Sequence, residues 1–552
     1  MHFVQISTCR ARLSTPPIVF TRTFVSDKTL LVGALPVEVS EFVPLYIICI
    51  KCDAMKRLLS HSMLCCIGAL LAVGCSRSVP FAPFPSPNPW ADDYTSLSSM
   101  GDYRSWGTYN VHDPSCRKLG DYYYMYSTDA IYRENRQEAA EKGVPLGYIQ
   151  VRRSKDLVQW EFLGWAFPEI PQEAVAWVCA HADGEGATNI WAPYIIPCRD
   201  KYRLYYCVSA FGRKSSYIGL AEADSPEGPW TQKGCVVKTD DTTPMNAIDP
   251  TVVVDPSSGK WWMHYGSFFG GLYCVELNPE SGLTQTEGDL GHLVARRAHY
   301  RKDNLEAPEL FYHPDRKQYY LFTSYDPLMT TYNVRVSRSD KAEGPFIDFF
   351  GEEVKDTTNN FPILTAPYRF ANHPGWAGTA HCGVLAADDG RYFMVHQGRL
   401  SPGNLMMDLH VRQLFFTEEG WPVVSPERYA GSKPRTFSQE DLAGEWEVIQ
   451  LHEPQYERQL AAGQILWGEG ELKEEEWNHS FSIRFEPDGR LQDGRGTWNF
   501  QKEKQLLTLD LDEEVVKNLI IFAGHDWENE TETVLFTGLD IHGRSVWGKR
   551  VK

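Results

Sequence analysis

The chain is 552 residues long and carries 54 Lys and Arg against 72 Asp and Glu, a formal charge of −18. That balance excludes a binder of phosphate backbones, which needs a clustered basic surface. A content of 43% apolar and 23% charged residues excludes a disordered chain.

The first 54 residues have no pattern. Residues 55–75 read MKRLLSHSMLCCIGALLAVGC. Lys56 and Arg57 form a basic start, Met63 to Val73 an apolar run of signal-peptide length, and Ala72-Val73-Gly74-Cys75 resembles a bacterial lipobox. The expectation is a chain that starts at Met55, with 1–54 an over-extended reading frame, lipidated on Cys75 as an outer-membrane lipoprotein facing the periplasm or the cell surface. A plain secretory signal and an uncleaved anchor are the alternatives. Nothing beyond residue 80 is long and apolar enough to cross a membrane. A Pro-rich linker, 76–100, follows. Seven cysteines lie after Cys75 without CxxC or zinc-like spacing, so at least one is expected free, and several sit in apolar strands as small hydrophobes.

With 17 Trp, 27 Tyr and 27 Phe beside 43 Gly and 34 Pro, the body predicts short strands and tight turns. From about residue 100 a repeat emerges: GDYYYMYSTD (120–129), DKYRLYYCVSAF (200–211), GKWWMHYGSF (259–268), RKQYYLFTSYD (316–326) and GRYFMVHQGR (390–399). Each follows a short motif centred on Asp113, Trp191, Asp249, Glu306 or His381, spaced by 78, 58, 57 and 75 residues. A four-stranded unit with its loops fills such a spacing, so 101–434 is read as a five-bladed β-propeller. One short helix is predicted over Arg133 to Lys142. After GSKP at 431–434, residues 435–552 lack Cys and alternate strand-like stretches with DG and HG turns, the pattern of a small antiparallel barrel or sandwich.

Inner strands of a propeller converge on its axis. Asp113 (VHDPS), Asp249 (NAIDPT) and Glu306 (LEAPEL) are thereby expected around one cavity, each followed by Pro directly or one residue later. Three converging acids in an aromatic pocket point to glycosidic bond cleavage: one protonates the leaving oxygen, a second activates water or attacks the sugar, and a third tunes the acid. Glu309 is a near neighbour of Glu306, and strand alternation puts only one of them on the axis.

His-Asp-Pro at 112–114, Trp-Ala-Pro at 191–193, LYYCVSAFGRKSS at 204–216, Asn-Ala-Ile-Asp-Pro at 246–250, GSFFGG at 266–271, Glu-Ala-Pro at 306–308 and LHVRQLFF at 409–416 together resemble glycoside hydrolase family 43, within it the endo-α-1,5-L-arabinanases. The resemblance implies an inverting hydrolase of arabinan, with Asp113 as general base, Glu306 as general acid and Asp249 as the group that tunes and orients the acid. Inversion implies base and acid carboxyls roughly 6.5–9.5 Å apart. It further implies substrate contacts from Trp191, Gly212, Asn246, Ala247, Ile248, Ser267, Phe268 and Phe269, and a central calcium ion near His381, held largely by water. No organic cofactor, no nucleic acid partner and a monomer are expected. Two departures stand out: Tyr194 replaces the Asp that often follows Trp-Ala-Pro, and AGTAHC at 377–382 keeps only the His of Gly-Pro-Gly-His-Asn.

Two other functions compete with this one. An exo-acting α-L-arabinofuranosidase or β-xylosidase would use the same acids, with the insertion at about 130–147 closing one end of the groove. A glycan-binding lipoprotein without turnover would need aromatics and amides but no matched acid and base. The C-terminal Trp446, Trp477, Trp498, Trp527 and Trp547 are read as core.

Overall fold

The computed structural model describes residues 99–551, apart from 132, 298–303, 358, 403–405, 455–471, 495 and 512–513. The signal segment, Cys75 and nearly all of the Pro-rich linker lie outside the described residues. The described chain is almost entirely β.

Four antiparallel four-stranded sheets form successive blades of a β-propeller, each with its strands in chain order. The first is His112–Leu119, Tyr122–Thr128, Tyr148–Ser154 and Glu161–Phe167. The second is Trp191–Cys198, Lys201–Ser209, Ser216–Ala223 and Thr231–Thr239. Thr251–Val254, Trp261–Ser267, Gly271–Leu277 and His292–Ala295 make the third; Leu305–His313, Gln318–Tyr325, Asn333–Ser339 and Ile363–Thr365 make the fourth.

The expectation of five equal blades needs correction, because only four are discrete. The fifth aromatic repeat falls in a seven-stranded sheet. There Cys382–Ala386, Tyr392–Leu400, Asp408–Phe416 and Pro422–Val424 are extended by Tyr368–Arg369, Trp376–Ala377 and Asn478–His479. The last of these pairs parallel to Tyr368–Arg369 from beyond residue 435, so the repeat's edge is not closed within its own unit.

All five aromatic repeats are second strands of their units. Their composition follows from packing on both faces. Tyr123–Thr128, Arg203–Ser209 and Tyr319–Tyr325 are buried without alternation, because each lies between neighbouring sheets. The expected helix forms over Arg133–Glu141, and a second, Gln172–His181, was not anticipated. Its buried residues, Ala174 and Val178, lie four apart on one face.

The C-terminal region is a seven-stranded antiparallel sheet in the order Phe481–Phe485, Gly444–Gln450, Ser545–Arg550, Thr531–Leu539, Glu514–Asp526, Leu506–Leu511 and Gly496–Gln501. Its interior is filled by Trp446, Phe485 and Trp498, stacked with centroids 5.1 and 5.2 Å apart. Trp477, Trp527 and Trp547 are buried too, and Trp547 meets Tyr368 edge-on at 5.4 Å. Lys549 is fully buried at this junction, with its ammonium 3.1 Å from Glu427, 2.9 Å from Asp526 and bonded to Glu528. The seven cysteines among the described residues are all free.

Candidate active site

At or just before the start of each of the five inner strands lies a residue in the left-handed region: Asp113 (φ 47°), Ala192 (φ 40°), Asp249 (φ 56°), Ala307 (φ 54°) and His381 (φ 50°). In three units this residue sits inside a β-bulge, where the inner strand advances three residues while its partner advances two. A bulge of this kind re-aims side chains and sharpens local twist. In four of the five the next residue is Pro, which has no N–H to lose from the ladder.

The backbone N–H of each left-handed residue is tied to the preceding unit. Asp113 N–H donates to Gln397 Oε1 at 2.9 Å, Ala192 N–H to Thr128 Oγ1 at 2.8 Å, and His381 N–H to Ser324 Oγ at 2.9 Å. The Asp249 N–H faces the Cys207 sulfur. At the fourth unit the pattern changes: Ala307 N–H donates to the Asp249 carboxylate at 3.1 Å. A structural tether has there become a clamp on an acid.

Above these bulges opens a cavity of about 590 Å³. Asp113, Asp249, Glu306 and His381 all line it, with Trp191, Gly212, Asn246, Ile248, Ser267, Phe268 and Phe269. Ala247 does not. It is fully buried behind the wall, its N–H donating to Thr239 Oγ1 at 2.9 Å. Asn246 is fixed by Ser216 Oγ at 2.6 Å, and Trp191 meets the exposed ring of Phe211 edge-on at 6.4 Å. Ser267 and Phe268 sit on a hairpin that needs Gly266, where a Cβ would come within 2.3 Å of the Gly271 carbonyl.

The acids differ in electrostatic setting. Burial alone would raise the Asp113 carboxyl, but the His381 imidazole, with Nδ1 at 2.8 Å from Oδ1, overrides it and holds Asp113 at about 2. Burial likewise disfavours the His381 cation, yet Asp113, then Asp249 and Glu306, lift it to about 9. The two form an ion pair at neutral pH. Glu306 is raised, first by burial and then by Asp113, against the opposing pull of Tyr332, His381 and Ser267. Its Oε1 accepts from the Tyr332 hydroxyl at 2.7 Å and its Oε2 from Ser267 at 2.9 Å. Asp249 is pushed up well above the ordinary carboxyl range by burial, with the charges of Glu306 and Asp113 adding to it.

Glu309 also faces the axis, contrary to the expectation from alternation. The bulge at Ala307 restores the same facing after three residues. Glu309 lies beneath the acids, where Oε1 accepts from Val384 N–H at 3.0 Å and lies 3.4 Å from Arg117, while Oε2 accepts from Thr251 at 3.0 Å. Arg117 also bonds the Tyr194 hydroxyl and lies 4.8 Å from its ring centroid. Tyr194, at the departure from the family motif, thus belongs to an axial network joining residues of all five units.

The sequence reading missed Thr128, Asp129, Arg136, Asn189, Phe211 and Leu328 in the cavity wall. For Thr128 a signal existed: every aromatic second strand carries a polar residue in its latter half, Thr128, Ser209, Ser267, Ser324 and Gln397 being the set.

For a central calcium ion the donors are sparse. His381 Nδ1 is engaged by Asp113. Among the described residues, three carboxylates lie close enough to share an ion only at Glu427, Asp526 and Glu528, where the Lys549 ammonium already sits. Among the described residues the axis gathers no such group, so an ion there would rest largely on water.

A family model, the glycosyl hydrolases family 43, matches residues 107–422, and a C-terminal lipocalin-like domain model matches 426–548. The chain belongs to glycosyl hydrolase family 43. An extracellular endo-α-(1→5)-L-arabinanase of Thermotoga petrophila is 29% identical over 491 residues, covering 80% of this chain and 94% of that one. An extracellular exo-α-(1→5)-L-arabinofuranosidase of Cellvibrio japonicus is 30% identical over 334 residues, 57% of this chain and 86% of its own. The crystal structure of the Thermotoga petrophila endo-1,5-α-L-arabinanase superposes with a TM-score of 0.66 at 27% identity, covering 80% of this chain and 99% of that one. As a family 43 hydrolase, this chain carries the expected acids on one wall of one cavity.

Proposed function

We propose that this family 43 enzyme hydrolyses α-1,5-L-arabinofuranosidic bonds of arabinan, acting within the chain and inverting the anomeric centre. The observation that carries the reading is the division of labour among the acids. Asp113 is held ionised by His381, as a base must be, while burial raises Glu306 in the direction an acid needs. Asp113 takes a proton from the attacking water, and Glu306 delivers one to the leaving oxygen as the glycosidic bond lengthens. Asp249, clamped by the Ala307 N–H, titrates together with Glu306, so that ionisation of either carboxyl raises the other. Trp191 and Phe268 offer ring faces to the apolar side of a furanose. A central calcium ion would meet the protein only through His381 Nε2 and water, and no step requires it.

Exo action on arabinan is the second reading. It is favoured by the blade-one insertion, whose Ile131 and Arg136 wall one side of the cavity, and by the exo-acting relative. In the same proposal the unit 382–424 closes the ring as a fifth blade, and export follows the extracellular relatives, with Cys75 as lipid anchor and the protein a monomer. Product lengths from linear arabinan, run beside xylan, test the proposal. A ladder of oligosaccharides supports endo action, and a single small product from the outset supports exo action. No release from arabinan overturns the assignment.

A further inference from the structure

We infer that Tyr332 is a positioning residue for the general acid, fixing which oxygen of Glu306 carries the proton. The inference rests on the assignment of Glu306 above. Both carboxylate oxygens have a hydroxyl partner, but the partners are not equivalent. Ser267 lines the cavity on the Oε2 side. Tyr332 is fully buried behind Oε1 and does not line the cavity. A serine hydroxyl rotates freely and serves as donor or acceptor, whereas a buried phenol, whose ionisation burial suppresses further, serves here as a donor.

When Glu306 takes up its proton, Tyr332 therefore keeps donating to Oε1. The proton settles on Oε2, and Ser267 turns to accept it or yields to the substrate oxygen. On transfer, the O–H bond at Oε2 breaks, the leaving oxygen gains the proton, and the carboxylate regains both donors. Tyr332 thus stabilises the ionised product of the step and aims the proton into the cavity.

The loop that carries Tyr332 is built to hold it. Asn333 Nδ2 donates to Asp326 Oδ2 at 2.7 Å, to Thr331 O at 2.9 Å and to Tyr325 O at 3.2 Å. Asp326 is itself fully buried, bonded to Arg297 and 3.8 Å from Arg335. The same loop brings Leu328 into the cavity wall. The other titratable groups facing Glu306 are Asp113, Asp249, His381 and the Cys207 thiol. None of them replaces the hydrogen bond at Oε1.

The test is the pH profile of kcat/KM for arabino-oligosaccharides and for an aryl arabinofuranoside. Tyr332→Phe removes a donor to the ionised acid, so the alkaline limb moves to higher pH by about one unit. Turnover of oligosaccharides falls by about tenfold or more, while the aryl substrate, whose leaving group needs little protonation, is largely spared. 3-Fluorotyrosine at position 332 strengthens the donor in a nearly unchanged shape and moves the limb down, which keeps the test available should the Phe variant fold poorly. A limb that stays fixed in both proteins overturns the inference, as does equal loss on both substrates. Wild-type protein that releases nothing from either substrate overturns the catalytic assignment instead.

Discussion

Two layers of side chains face the same axis from the same inner strands, and they are solved differently. In the upper layer Asp113, Asp249 and Glu306 share one imidazolium and open to a cavity, so two of the three are pushed towards the neutral form. In the lower layer Glu309 has Arg117, Thr251 and the Val384 N–H about it and is closed from solvent. Glu306 and Glu309 are the same residue type three positions apart on one strand. Burial raises both; their difference lies in the partners, for Glu309 is held by an arginine, a backbone N–H and a hydroxyl, and Glu306 by two hydroxyls beside an open cavity.

The largest effect expected from that contrast is in the upper layer. Asp113→Asn abolishes turnover while oligosaccharide binding by calorimetry persists, since the amide keeps the shape but cannot take a proton. Glu306→Gln loses roughly 10²–10⁴-fold on natural substrates and much less on an aryl arabinofuranoside. Either variant retaining full turnover would erase the distinction between layers.

A smaller effect, and in a different observable, is expected below. Glu309→Ala leaves Arg117 without this carboxylate, though still bonded to Tyr194 and the Cys116 and Val384 carbonyls, and costs about 3 kcal/mol in denaturant unfolding, the lower end of the range for a broken buried pair because Arg117 is partly exposed. At low temperature its kcat is unchanged. Arg117→Met with Glu309→Met recovers part of the loss, because no charge is then left unpaired. A Glu309→Ala protein of normal stability and reduced kcat would mean that the lower layer belongs to the chemistry.

The smallest effect is a displacement along the pH axis. Asp249→Asn removes the carboxyl that titrates together with Glu306, so Glu306 no longer ionises against a second negative charge and the alkaline limb of kcat/KM moves to lower pH, opposite to Tyr332→Phe. If the limb stays fixed while activity falls, Asp249 binds substrate and does not tune the acid.

The upper layer was readable because its motifs repeat in order. Three acids and a histidine precede aromatic strands at regular spacing, and strand convergence does the rest. The lower layer was not readable, because period-two alternation assigns Glu309 to the opposite face, and only the left-handed Ala307 reverses it. Nothing local distinguishes that alanine from any other before a proline. Tyr332 escaped for another reason: it comes from a loop whose course is set by Asn333, Asp326 and two buried arginines, one of which, Arg297, reaches Asp326 from the preceding unit. The fifth aromatic repeat forms a strand, Tyr392–Leu400, but not a fifth discrete blade. Its sheet extends further than expected because Asn478–His479 adds a parallel strand from far along the chain.

The tethers from each left-handed N–H to the unit before it bear on modularity. Repeats of this kind look interchangeable, yet each contributes an acceptor to one neighbour and draws on another. A blade transplanted from a relative would have to match two partners at once, one for its own N–H and one for its neighbour's. Because the chain of tethers runs full circle, there is no end at which to begin the exchange. In such a ring a change at one unit falls on both its neighbours, and at Ala307 it would also fall on an acid of the cavity.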